Sequence, residues 1–192
     1  MNIYFIAIIG ILILDYLLSF VVRTLNLKAL DPKLPREFED TFDKEKYLQS
    51  QEYTKTNSKF SYITSTFSLI ASLIFIFGGV YNIVDIFVRS VGYGPIVTGL
   101  FFFGFLSLLT DIINLPFGLY RTFVIEEKFG FNKTTIGTFF MDKLKGYFLF
   151  VIIGAPVLSL VLYFFNFYGE YAWIYAWALL VLFSVVMQPI FN

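Results

Sequence analysis

Three carboxylates set inside apolar runs, Asp15, Asp85 and Asp111, are the side chains whose placement most demands an explanation. A carboxylate in mid-span costs ~2.5–3.5 kcal/mol to place in lipid, so it must face a partner or water. Asp111 is followed one turn later by Asn114, and the two form a candidate lining for a hydrated cavity. A hydrogen-bonded structural Asp111 is the equal alternative. Acids on separate helices also raise the possibility of an aspartyl dyad sharing one proton between adjacent carboxyls. That chemistry needs Gly-x-Gly-Asp on one helix, and Gly92-Tyr93-Gly94-Pro95 lacks the acid. The chain contains no His and no Cys. Disulfides, thiol catalysis and the common zinc ligand sets are therefore excluded within it.

A second candidate is the polar stretch Arg121-Thr-Phe-Val-Ile-Glu-Glu-Lys-Phe-Gly-Phe-Asn-Lys-Thr-Thr135. It reads as a loop between apolar runs. Its charges lie beside a membrane, and Gly130 permits a turn that other residues would strain. Phe129 and Phe131 flank that glycine and can anchor the turn on apolar surface. Asn132 can hydrogen-bond locally or cap the next helix. Glu126, Gly130, Phe131 and Asn132 are the candidate functional residues of this loop.

The elements that must hold these residues are membrane helices. The chain is 58% hydrophobic, 21% aromatic and only 15% charged, against about 25% charged in an average soluble domain. Mean hydropathy is +0.75. Five runs are long enough to cross a bilayer, at about 3–22, 62–88, 95–119, 147–166 and 171–190. Without barrel-type alternation, only helices satisfy their own backbone in lipid. The fold class is an all-α polytopic bundle, a single membrane domain over 1–192. The first run has no basic flank and no small-residue cleavage site, so it reads as a retained span.

Basic residues orient the bundle. Residues 23–61 carry Arg23, Lys28, Lys33, Arg36, Lys44, Lys46, Lys55 and Lys59, and residues 120–146 carry Arg121, Lys128, Lys133, Lys143 and Lys145. Arg89 is the single basic residue elsewhere. The positive-inside rule makes the two rich loops cytoplasmic, with the N-terminus outside and the C-terminus inside. Tyr168, Tyr171, Trp173, Tyr175 and Trp177 then suit the outer headgroup level. A net charge of zero gives no case for nucleic acid as a partner.

Between the first two spans, Pro35 suits a first helical turn, and Leu34, Phe38 and Phe42 share one face. This predicts a cytoplasmic amphipathic helix that docks on a membrane or another domain and runs toward span two. Ser61, Ser65, Ser68, Ser72, Gly79 and Asn82 form one polar stripe in span two, and Gly104, Ser107, Asp111, Asn114 and Gly118 another in span three. Ordinary close packing of membrane helices accounts for the Ser and Gly positions.

The order Phe123-Val-Ile125-Glu126 followed by Gly130-Phe131-Asn132 resembles a segment in the membrane-embedded N-terminal half of the type I CAAX prenyl endopeptidases, integral-membrane zinc metalloproteases. The resemblance covers nearly the whole chain. It includes Pro35 to Phe60 with Phe42, Tyr47 and Lys59, then Asn114-Leu-Pro116, Thr134, Phe139, Asp142, Lys145 and the final Gln188-Pro-Ile-Phe-Asn192. Glu126-Glu127 is also similar to the start of the Glu-Glu-x-x-x-Arg motif of the glutamate-type CAAX proteases. Phe131 stands at the required Arg position, so that reading fails.

The resemblance implies helices ringing a water-filled chamber, with zinc held by His-Glu-x-x-His and a downstream Glu. None of those residues is present here, so no catalytic or metal residue and no resident cofactor is assigned; zinc belongs to the full-length family. The expected function is the N-terminal membrane portion of such a protease, truncated before its zincin segment. It would form part of the chamber wall for C-terminal peptide processing and be inert alone. Implied partners are the bilayer, the missing zincin segment and a prenylated or other membrane-associated peptide. A complete, non-enzymatic membrane assembly or binding protein is the alternative. Related bacterial proteins and the Phe/Ile/Asn/Lys-rich composition favour a bacterial cytoplasmic membrane over the endoplasmic reticulum.

Overall fold

A computed structural model describes residues 2–35, 40 and 43–191, with the side chains of 190 and 191 left out. The elements are helices α1 (Ile3–Ala29), α2 (Lys44–Phe77), α3 (Val80–Ser90), α4 (Pro95–Tyr120), α5 (Ile136–Leu149), α6 (Ala155–Phe167) and α7 (Ala172–Phe191). A π-helical segment Arg121–Glu126 extends α4, and another, Phe150–Gly154, joins α5 to α6. There is no strand among the described residues. Five helical stretches are long and apolar enough to cross a membrane: Ile3–Ala29, Lys44–Phe77, Pro95–Glu126, Ile136–Phe167 and Gly169–Pro189.

Several boundaries differ from the sequence expectation. The second span was expected over 62–88, but its helix stops at Phe77. Gly78 caps it, so close to the last turn that a Cβ there would lie 2.5 Å from the Ile74 carbonyl oxygen, and Gly79 ends the helix at φ +69°. Residues 80–90 form a separate helix, α3, with Asp85 and Arg89 paired at 2.8 Å one turn apart. The fourth span was expected to begin at 147, but its helix starts at Ile136, where the Thr135 hydroxyl accepts the Thr138 N–H at 3.1 Å. The expected amphipathic helix from Pro35 falls partly on 36–39 and 41–42, outside the described residues. From Lys44 onward, capped by Asp43, the helix runs without a break into the span. At 34 residues α2 is ~51 Å long, well beyond the ~30 Å of hydrocarbon.

The chain divides into two compact units, one of Met1–Tyr81 with Ile113–Lys133 and one of Asn82–Ile112 with Thr134–Asn192. In the first, α1 and α2 pack antiparallel in constant register. Phe5 meets Phe77 at 5.5 Å between rings, Tyr16 OH bonds Thr66 Oγ1 at 2.8 Å, and Phe20 meets Tyr62 at 4.9 Å. Thr24 Oγ1 bonds Tyr62 OH at 2.7 Å, and Arg23 donates to Ser65 Oγ at 3.3 Å. Polar side chains thus join these helices, as they can where the surrounding lipid offers no hydrophobic drive to associate. In the second unit α6 and α7 pack through Ala172 and Ala176, both buried, and Tyr168 meets Tyr175 at 4.8 Å between tilted rings. Gly99 of α4 lies so near Leu162 of α6 that an added Cβ would meet its Cδ1 at 2.7 Å.

Candidate functional site

Residues 121–135 are a loop only in their second half. The helix of α4 continues through the π segment to Lys128, and the chain turns at Phe129-Gly130. The turn is a Schellman motif: Gly130 N–H donates to Glu127 C=O at 3.0 Å, and Phe131 N–H reaches Glu126 C=O at 2.9 Å. Gly130 adopts φ +73°, the left-handed conformation that glycine takes without a Cβ penalty. The polar side chains misled the loop reading, because a short charged helix end and a loop have the same composition.

Glu126, Gly130, Phe131 and Asn132 lie on this one turn, and each has a distinct setting. Glu126 Oε1 accepts Tyr53 OH from α2 at 3.3 Å and lies 3.5 Å from Arg121 Nε. Its partners are thus supplied within the chain. Phe129 is buried, with Tyr53 packing edge-on to it at 5.3 Å and to Phe131 at 4.9 Å. Gln49 Nε2 donates to the Phe129 carbonyl at 3.1 Å. Phe131 remains half exposed. Asn132 does not cap α5, a role taken by Thr135; its Nδ2 donates to Glu127 Oε2 at 2.9 Å. Sequence reasoning missed Tyr53 and Gln49. They share one α2 face four residues apart, a spacing that carries no functional signal by itself.

The second cluster lies in the other unit. Lys143 Nζ of α5 donates to Asp111 Oδ1 of α4 at 2.6 Å, and Tyr147 OH donates to Asp111 Oδ2. Lys143 and Tyr147 are four residues apart, so one α5 face presents both donors to one carboxylate. The pair is only partly covered: the side chains of Asp111 and Lys143 are 32% and 26% exposed. Ser107 and Asn114, along α4 on either side of Asp111, are exposed, and a Cβ at Gly104 would meet nothing within 4 Å. Within the α4 stripe, Asp111 thus meets α5 while Ser107 stays exposed. Asp15 is exposed on α1.

Neither cluster fits zinc. With no His or Cys in the sequence, the soft and imidazole donors are missing, and the described residues hold no group of three or more candidate ligands.

An all-helical membrane domain with five spans and a Schellman turn at Gly130 defines a class. Residues 23–192 match the family described as the CAAX prenyl protease N-terminal domain, with five membrane helices, and the chain belongs to that family. It is 32% identical over 204 aligned positions to a CAAX prenyl protease 1 homolog of Dictyostelium discoideum, covering 98% of this chain and 48% of that protein. A Homo sapiens homolog is 35% identical over 165 positions, covering 82% and 35%. The crystal structure of S. mikatae Ste24p superimposes with a TM-score of 0.87 at 26% identity, over 97% of this chain and 45% of that one. The chain thus spans less than half the length of these relatives. It is an integral membrane protein. The relatives are eukaryotic, so the expectation of a bacterial membrane draws no support from them.

Proposed function

We propose that this chain forms part of the wall of a water-filled intramembrane chamber in a CAAX prenyl protease-like peptidase. In this reading zinc and its ligands come from sequence outside these 192 residues, and the substrate is a prenylated or other membrane-associated peptide processed near its C-terminus. The observation that carries the wall assignment is the Asp111–Lys143–Tyr147 network. A partly exposed ion pair beside the exposed Ser107 is costly against lipid and stable against water. The basic residues put Lys59 and Arg121 on the cytoplasmic side. The turn at Gly130 then borders the cytoplasmic mouth, with Phe131 as the apolar side chain left to meet another segment.

The absence of native cysteine makes the test direct. Single cysteines at Ser107, on the polar stripe, and Ile112, which is 63% exposed, are treated with a membrane-impermeant thiol reagent in vesicles opened to both faces. Ser107→Cys labels and Ile112→Cys does not. Equal resistance of both positions sinks the wall assignment. For the peptidase reading, the chain is co-expressed with the C-terminal portion of the D. discoideum relative. Zinc-dependent peptide cleavage requires both parts, and cleavage by the chain alone overturns it.

A further inference from the structure

A groove of about 580 Å³ lies between α2 and the end of α4, lined by Thr56, Lys59, Phe60 and Ile63 on one side and Phe117 and Tyr120 on the other. Its position is fixed by both helices. Lys59 is the last charge of α2 before an uncharged run to Phe77, and Arg121, next to Tyr120, is the first charge after Asp111. Phe60 stacks on Tyr120 at 5.0 Å, which puts these two limits at the same level. The groove therefore crosses the boundary between headgroups and hydrocarbon.

Its chemistry changes across that boundary. On the water side stand Lys59, Thr56 and the Tyr120 hydroxyl; on the lipid side, Ile63, Phe117 and Pro116. Lys59 makes no ion pair or hydrogen bond among the described residues, and no acid lines the groove. The nearest acid on the same α2 face, Glu52, is two turns away, ~10 Å. Glu126 is engaged by Tyr53 and Arg121. The volume falls within the 300–1,000 Å³ of ordinary small-molecule sites.

We propose that this groove is a binding site for one anionic phospholipid. The phosphate sits at Lys59, within reach of hydroxyl donors from Thr56 and Tyr120, and one acyl chain lies along Ile63 and Phe117. A zwitterionic lipid gains less, because its own cation stands beside the phosphate and competes with Lys59. The cytoplasmic leaflet, where anionic lipids concentrate, is also the side to which the basic loops assign Lys59.

The test is native mass spectrometry of the whole chain, purified in detergent and titrated with phosphatidylglycerol or phosphatidylcholine. Wild type retains one phosphatidylglycerol in preference to phosphatidylcholine. Lys59→Gln weakens phosphatidylglycerol binding about fivefold, the equivalent of ~1 kcal/mol for one basic residue at an anionic surface, and leaves phosphatidylcholine unchanged. Ile63→Trp, which fills the apolar half, also lowers retention, with helicity by circular dichroism as the folding control. Lys46→Gln, on the first turn of α2, has no effect. Equal retention of the two lipids by wild type overturns the proposal. So does an equal loss in Lys59→Gln and Lys46→Gln, or full retention by a folded Ile63→Trp.

Discussion

The two polar clusters each centre on a carboxylate, yet they are built on opposite plans. Around Glu126 the side-chain bonds are long, 3.3 Å from Tyr53 and 3.5 Å from Arg121, and the order comes from the Schellman turn and two buried or half-buried rings. Around Asp111 there is no turn. Two donors from one α5 face converge on the carboxylate, and the Lys143 contact is 2.6 Å. The first cluster stands at the charged ends of the Lys44–Phe77 and Pro95–Glu126 stretches, where Lys55, Lys59, Arg121, Glu127 and Lys128 crowd the sequence. The second stands inside the spans, where a charge without a partner is expensive. Backbone geometry holds one region and charge pairing the other, and substitutions separate them.

The largest effect belongs to the in-span pair. Asp111→Leu leaves Lys143 without its carboxylate and lowers unfolding free energy by ~2 kcal/mol, between the 3–5 of a fully buried pair and the <1 of an exposed one. Thermal unfolding in detergent, followed by Trp173 and Trp177 fluorescence, measures it. Adding Lys143→Met recovers more than half of the loss; no recovery would show that packing, not charge, holds α5 to α4 at this point. Next comes the turn. Gly130→Ala meets no neighbour within 4 Å, so its cost is the left-handed backbone alone, ~1–2 kcal/mol. Gly130→Asn loses less than half as much, and equal losses would place the cost elsewhere.

Smaller effects test the side chains of the outer cluster. Tyr53→Phe keeps the ring contacts with Phe129 and Phe131 and removes only the hydroxyl, for ~1 kcal/mol in the same unfolding assay. Arg121→Gln is the smallest, below ~0.5 kcal/mol, because the guanidinium is 60% exposed and its pair is 3.5 Å apart. If Arg121→Gln costs more than Asp111→Leu, the division between a turn-held and a charge-held region is wrong.

The five spans, the turn at Gly130 and the polar pull of Asp111 could be read from residue types alone, since hydropathy, a required left-handed residue and the cost of a charge in lipid are local properties. The partners were not legible. Lys143 is 32 positions from Asp111 and Tyr53 is 73 from Glu126, and no local pattern encodes which helix faces meet. Lys143 looked like one more basic residue of a cytoplasmic loop because the start of α5 depends on the Thr135 cap, which hydropathy does not see. The end of α2 was missed for a similar reason: Gly78-Gly79 sits inside an apolar run that continues to Val84. The two π segments have no compositional mark at all.

The π segment between α5 and α6 has an evolutionary reading. Ala155 N–H donates to Phe150 C=O, five residues back, so this turn holds one residue more than an α-helical turn. In descent, such a turn is an inserted residue that the helix absorbed instead of breaking. Positions after it lag by about 100° behind where an unbroken α-helix counted from α5 would put them. Removing one residue there would restore the regular pitch and leave α6 facing as it does, so that Leu162 still met Gly99. A related chain lacking that residue could therefore keep the same contact, its positions beyond 154 shifted by one in number but not in direction.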